Sequence, residues 1–168
     1  MQRMHEIHLQ PLTREAFASF GEVIACDPEH RHFEINYGRT VRYHELARAD
    51  VVDQGGYPII SIFRCQHSQL PFDVKVMERH PLGSQAFMPL GQSNYVVLVA
   101  PPGDFSLAAV RGFLARPGQG VNYPKGTWHH FSLCLGADMD FLVVDRGGGG
   151  HNCDEVTMPE DVIVRVVG

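Results

Sequence analysis

The residues best suited to chemistry fall in two short stretches. The first is Glu78-Arg79-His80, followed after Pro81-Leu82-Gly83-Ser84 by Gln85. Glu78 and His80 stand two apart, so on a strand their side chains leave the same face. The second runs Gly120-Val121-Asn122-Tyr123-Pro124-Lys125-Gly126-Thr127-Trp128-His129-His130, where a Pro-x-Gly turn delivers a histidine onto the start of a strand three residues later. Neighbouring histidines cannot both point inward from one strand, and we take His129 as the inward one. Glu78, His80, Gln85 and His129 could then converge in the mouth of a barrel. Two imidazoles, a carboxylate and an amide oxygen could hold a divalent ion such as Zn, Ni, Mn or Fe. The same imidazoles titrate near neutrality and could instead act as acid and base. No organic cofactor is expected.

The elements that must position these groups read as short strands. Thr13 is a helix N-cap for Arg14 to Phe20, with Glu15 in the first turn and Gly21 closing it. Beyond it, apolar, β-branched or alternating runs recur at Glu22–Cys26, Ile59–Arg64, Phe72–Glu78, Gln85–Leu90, Tyr95–Ala100, Val110–Ala115, Thr127–Leu135, Phe141–Asp145 and Val162–Val167. Turns such as Gly55-Gly56, Pro101-Pro102-Gly103, Pro117-Gly118 and Gly147 to Gly150 separate them. Many short strands with hardly any helix predict an all-β, antiparallel barrel or jelly roll with one or two short helices.

Composition narrows the function classes. The 168 residues are 44% hydrophobic, enough for a single domain spanning 1–168 with a core of its own. A net charge of −5 and no Lys/Arg run argue against a nucleic-acid partner. The longest apolar stretch, Tyr95–Ala100, falls far short of the roughly 20 residues of a membrane helix. The first residues lack the basic and apolar regions of a signal peptide, and the expected location is cytoplasmic. Cys26, Cys65, Cys134 and Cys153 form no Cys-x-x-Cys pair, which removes zinc-ribbon and thioredoxin readings and suits reduced thiols. No Gly-x-Ser-x-Gly elbow is present. His5, His8, His30, His32, His67 and His151 lie in polar or terminal contexts and read as surface residues. Of the 14 basic residues only Lys75 and Lys125 are lysines, an arginine bias compatible with a small anionic substrate.

The turn-and-histidine stretch resembles the second metal-binding motif of the cupin barrels. Glu78, His80 and Gln85 fit the spacing of the first motif with altered ligands. Several segments go further. Phe33–Gly38, Val41–Ala47, Glu-Arg-His-Pro-Leu-Gly-Ser-Gln-Ala-Phe at 78–87, Gly118–Tyr123, Trp128-His129-His130 and Asp145–Gly148 resemble, in order, the ureidoglycolate lyase family of allantoin catabolism. That resemblance implies a cupin-like barrel, a homodimer, and cleavage of (S)-ureidoglycolate to glyoxylate and urea, with nickel or another divalent ion sometimes attached. For such a substrate a base must take the hydroxyl proton while the leaving urea nitrogen is protonated, tasks that suit His80, His129 and Asp145. The substrate carboxylate needs a cation, for which Arg64, Arg146 and Arg42 are the candidates. Asn36, Asn122 and Tyr43 could bind the ureido group, and Gln85 is a further substrate-binding candidate. Two readings from other classes stand beside this one: a metal-dependent cupin enzyme acting on another small carboxylate, and a non-catalytic cupin that binds a small anion.

Overall fold

The computed structural model describes residues 1–168. In chain order the elements are β1 (Arg3–Pro11), α1 (Arg14–Phe17), β2 (Glu22–Ile24), β3 (His32–Ile35), β4 (Thr40–Tyr43), β5 (Tyr57–Cys65), β6 (His67–Ser68), β7 (Phe72–Val74), β8 (Val76–Arg79) and β9 (Gln85–Pro89). There follow β10 (Tyr95–Ala100), β11 (Arg111–Ala115), β12 (Gly120–Tyr123), β13 (Trp128–His129), β14 (Leu133–Leu135), β15 (Met139–Gly147), β16 (Asp154–Thr157) and β17 (Val162–Val167). The chain is all-β and cupin-like: a curled sheet ordered β16-β8-β13-β10-β11-β1-β17-β7 faces a five-stranded sheet ordered β2-β12-β9-β15-β5. β3 and β4 form a two-stranded sheet of their own.

β10 shows why this arrangement holds. All six of its residues are buried, because each face meets a different core. Tyr95, Val97 and Val99 pack with Phe113 and, from the facing sheet, Phe87, Val121, Phe141 and Val143. Val96, Leu98 and Ala100 pack on the opposite face with Ile7, Trp128, Leu133, Val164 and Val166. Each Val, Leu, Ile or Phe among them contributes about 1.5–3 kcal/mol on burial.

The pairing is more mixed than the sequence suggests. β1 lies parallel to both β11 and β17, and β14 parallel to β6, within an otherwise antiparallel set. The expected strand Phe72–Glu78 is two strands, because β7 pairs with β17 whereas β8 pairs with β13 and β16. The helix is shorter than expected. Thr13 Oγ1 accepts from the Ala16 N–H at 3.2 Å, and Leu12 and Phe17 bury together as a hydrophobic staple. The helix then stops so that Gly21 can press on β12, where a Cβ would stand 2.0 Å from the Asn122 carbonyl oxygen.

Candidate functional site

His129 on β13 sits directly opposite Glu78 on β8, so both side chains share the face that looks across to the second sheet. His80 follows two residues beyond Glu78 and reaches the same interior. The turn that carries the second stretch is bonded to the first: Gly126, at φ +82°, donates its N–H to the His80 carbonyl at 3.1 Å. Thr127 Oγ1 donates to the Phe20 carbonyl at 3.0 Å and fixes the start of β13.

The imidazoles have defined tautomers. His80 Nδ1 donates to the Asn152 carbonyl at 2.7 Å, and His129 Nδ1 donates to the Thr127 carbonyl at 3.1 Å. A carbonyl only accepts, so each Nδ1 carries a hydrogen, and in the neutral ring Nε2 presents a lone pair. Those lone pairs face Glu78 Oε1 at 3.9 Å from His80 and 3.6 Å from His129, the three ligand atoms lying within 4.8 Å of one another. With the rings neutral, three acceptors converge on one point. Burial, reinforced by His80 alongside, pushes the His129 pKa down to about 3, so this imidazole is neutral across the physiological range.

Across the interior, Tyr123, Gln85 and Asp145 stand side by side on β12, β9 and β15. They occupy the same face as Val121, Phe87 and Val143 one row below. Gln85 Nε2 donates to Asp145 Oδ2 at 3.1 Å. The Tyr123 ring lies flat on His129, with centroids 4.3 Å apart and planes 5° from parallel. Six buried side-chain polar atoms in the chain lack a hydrogen-bond partner, and five belong to this interior: His80 Nε2, His129 Nε2, Gln85 Oε1, Tyr123 Oη and Asp145 Oδ1. Such atoms are costly unless a ligand answers them. A surface cleft of about 600 Å³ beside α1, lined by Arg14, Asp27, His30 and Gln119 among others, contains none of them. Chemistry, more than concavity, locates the site.

The other candidates go elsewhere. Arg64 is exposed and paired with Asp140 at 3.0 Å, five residues along β15 from Asp145. Arg146 alternates with Asp145, so it leaves the opposite face, buried, where it donates to the Asp53 carbonyl at 2.9 and 3.2 Å. Asn122 likewise alternates with Tyr123 and donates to Glu22 Oε2 at 2.9 Å. Arg42 and Asn36 are exposed on the β3–β4 hairpin, and Tyr43 stacks on His32 there at 5.2 Å. No arginine reaches the cluster. His130 points away from His129 and packs edge-on against Phe72.

Glu78 Oε1 and the two Nε2 atoms fit a divalent first-row cation. Metal–ligand bonds of roughly 2.0–2.2 Å hold neighbouring ligand atoms about 3–3.5 Å apart, so the imidazoles must close on Glu78 from the 3.6 and 3.9 Å seen here. Two histidines and one carboxylate are also a donor set that such ions favour.

Fold and site together define a cupin-like barrel in which two histidines and a partly exposed carboxylate converge. The chain belongs to the ureidoglycolate lyase family, whose model matches residues 4–165. It is 53% identical over 153 residues to ureidoglycolate lyase of Burkholderia cepacia, covering 90% of this chain and 86% of that one. The Burkholderia mallei ureidoglycolate lyase is 50% identical over 159 residues, covering 95% and 93%. The enzyme of the same name from Pseudomonas entomophila is 48% identical over 159 residues, covering 94% and 95%.

Proposed function

We propose that this chain is a carbon–nitrogen lyase that cleaves ureidoglycolate to glyoxylate and urea. The observation that carries the reading is the set of five unanswered polar atoms in the interior of a ureidoglycolate lyase family barrel. Glu78, His80 and His129 would hold a divalent cation, which when bound supplies a positive charge for the carboxylate and hydroxyl of the substrate. That charge stands in for the arginine that the cluster lacks. Asp145 is the proton carrier. One of its oxygens is held by Gln85, and the other is free to accept the hydroxyl proton as the electrons of the O–H bond form the aldehyde carbonyl and the C–N bond breaks. The same oxygen returns that proton to the departing nitrogen, so the proton count closes on one side chain.

The chain would act as one domain, since β1 and β17 pair the two ends of the sequence. It would act as a homodimer, since β5 is a nine-residue edge strand with Ile60 and Ile62 exposed. Four free thiols suit a cytoplasmic place in allantoin and purine breakdown. No helix is long and apolar enough to cross a membrane.

The test is turnover of ureidoglycolate by the wild type and by Asp145→Asn, with metal content measured on both. We expect release of glyoxylate by the wild type and, in the variant, a kcat about 10²–10⁴-fold lower at unchanged metal content. A wild type that releases no glyoxylate overturns the activity, and a fully active variant overturns the role of Asp145.

A further inference from the structure

The row facing the metal-fitting cluster contains a residue that has no task in the proton transfer at Asp145. Tyr123 is 2% exposed, its hydroxyl has no partner, and its ring is held against His129. Phenylalanine would fill the same space and make the same stack. The hydroxyl is therefore surplus to packing, and buried without a partner it destabilises the fold. Burial also pushes the phenol pKa up, so the group keeps its proton and remains a donor. Beside it in register stands Gln85, 6% exposed. Because Asp145 Oδ2 can only accept, the Gln85 amide must present its nitrogen to Asp145, which leaves Oε1 as a free acceptor.

One free donor and one free acceptor, adjacent on the wall opposite the cation site, match a ureido group, which carries a carbonyl acceptor and amide N–H donors. We propose that Tyr123 and Gln85 form the specificity subsite for the ureido end of the substrate: the Tyr123 hydroxyl donates to the ureido carbonyl and Gln85 Oε1 accepts from the terminal N–H. The assignment rests on ureidoglycolate as substrate and fixes its orientation. The carboxylate and hydroxyl point to Glu78, His80 and His129, the ureido group points to β12 and β9, and the C–N bond that breaks passes Asp145.

Two unreactive probes separate the halves of the substrate. N-carbamoylglycine keeps the ureido group and carboxylate but has no hydroxyl to deprotonate, whereas glycolate keeps the hydroxyl and carboxylate but has no ureido group. Calorimetric binding of both to the metal-loaded wild type, Tyr123→Phe and Gln85→Met, with a thermal melt of each protein, makes the test. In Tyr123→Phe the Kd for N-carbamoylglycine should rise roughly tenfold or more, the Kd for glycolate should hold within about twofold, and Tm should not fall. Gln85→Met should show the same selective loss. The subsite is overturned if N-carbamoylglycine binds both variants as it binds the wild type. It is equally overturned if both probes weaken together as Tm falls, because that is the signature of a packing role. A wild type that releases glyoxylate while Tyr123→Phe binds both probes normally loses the subsite alone. A wild type that shows the selectivity but releases no glyoxylate keeps the subsite and loses the lyase reading.

Discussion

His129 meets any ligand as a neutral lone-pair donor, and this has a consequence for stability as well as for chemistry. In the metal-free protein an unfolded imidazole takes up its proton near 6.5, whereas folded His129 does so only near 3. Between those values the unfolded chain holds the extra proton, so acid favours unfolding. His130, also lowered by burial, adds in the same direction. Stability of the chelated protein should be level above about pH 7 and fall below about pH 6.5, by up to roughly 1.4 kcal/mol per pH unit for each such histidine. The carboxylates held low by their partners, Asp73, Asp138, Asp140 and Asp154, add a further loss only once pH falls below the ordinary carboxylate value of 3.8. Urea melts at pH 7.5, 6 and 5 check this, and a constant midpoint across them contradicts it. At the same scale, His80→Ala and His129→Ala each remove one of the proposed ligands and should lower the metal content measured on the purified protein, which Asp145→Asn should not. Glu78, His80 and His129 were legible because spacing by two and a Pro-x-Gly turn fix direction. Tyr123 was not, because sequence does not say which of Asn122 and Tyr123 faces inward, and a buried aromatic reads first as packing.

Elements whose bounds depend on their own apolar content, β10 and β17, match the sequence reading residue for residue. Those set by partners do not. β1, Arg-Met-His-Glu-Ile-His-Leu-Gln-Pro, buries only Ile7 and carries no strand alternation strong enough to read, yet it pairs with two strands from the far half of the chain. β3, β4, β12 and β16 have four residues each and likewise owe their form to register with neighbours. Arg146 shows the cost of missing register. Read as a carboxylate ligand, it instead ties down the segment at 53–56, where a Cβ on Gly56 would stand 2.3 Å from its Nε and one on Gly83 2.7 Å from its Cβ. Arg146→Ala should lower stability by about 1.5–3 kcal/mol for the lost charged hydrogen bonds and should make residues 50–56 more sensitive to protease. Thermal melts and limited proteolysis measure both effects, with metal content unchanged. An unaltered melt would mean that Arg146 does not brace this segment.

For the whole molecule, the five-stranded sheet ends on a strand that is unusual for a free edge. Ile60 is 74% exposed and Ile62 54%, with Leu142 beside them on the outer face of β15. A long apolar edge left open invites pairing, and a second copy of the chain is the occupant that the family resemblance implies. Analytical ultracentrifugation should show a dimer for the wild type and a monomer for Ile60→Lys with Ile62→Lys, while a wild-type monomer would contradict the assignment. The barrel class was readable from turn spacing, and the family from its motifs. The open seam at β5 was not, since nothing local distinguishes a covered strand from an edge. The most direct test of the account is parallel measurement of glyoxylate, urea and ammonia released from ureidoglycolate by the protein as purified, after chelation, and after return of a divalent ion. Glyoxylate and urea are expected in equal amounts without ammonia, lost on chelation and restored by the ion. Ammonia in place of urea, or no glyoxylate above the uncatalysed rate, would contradict it.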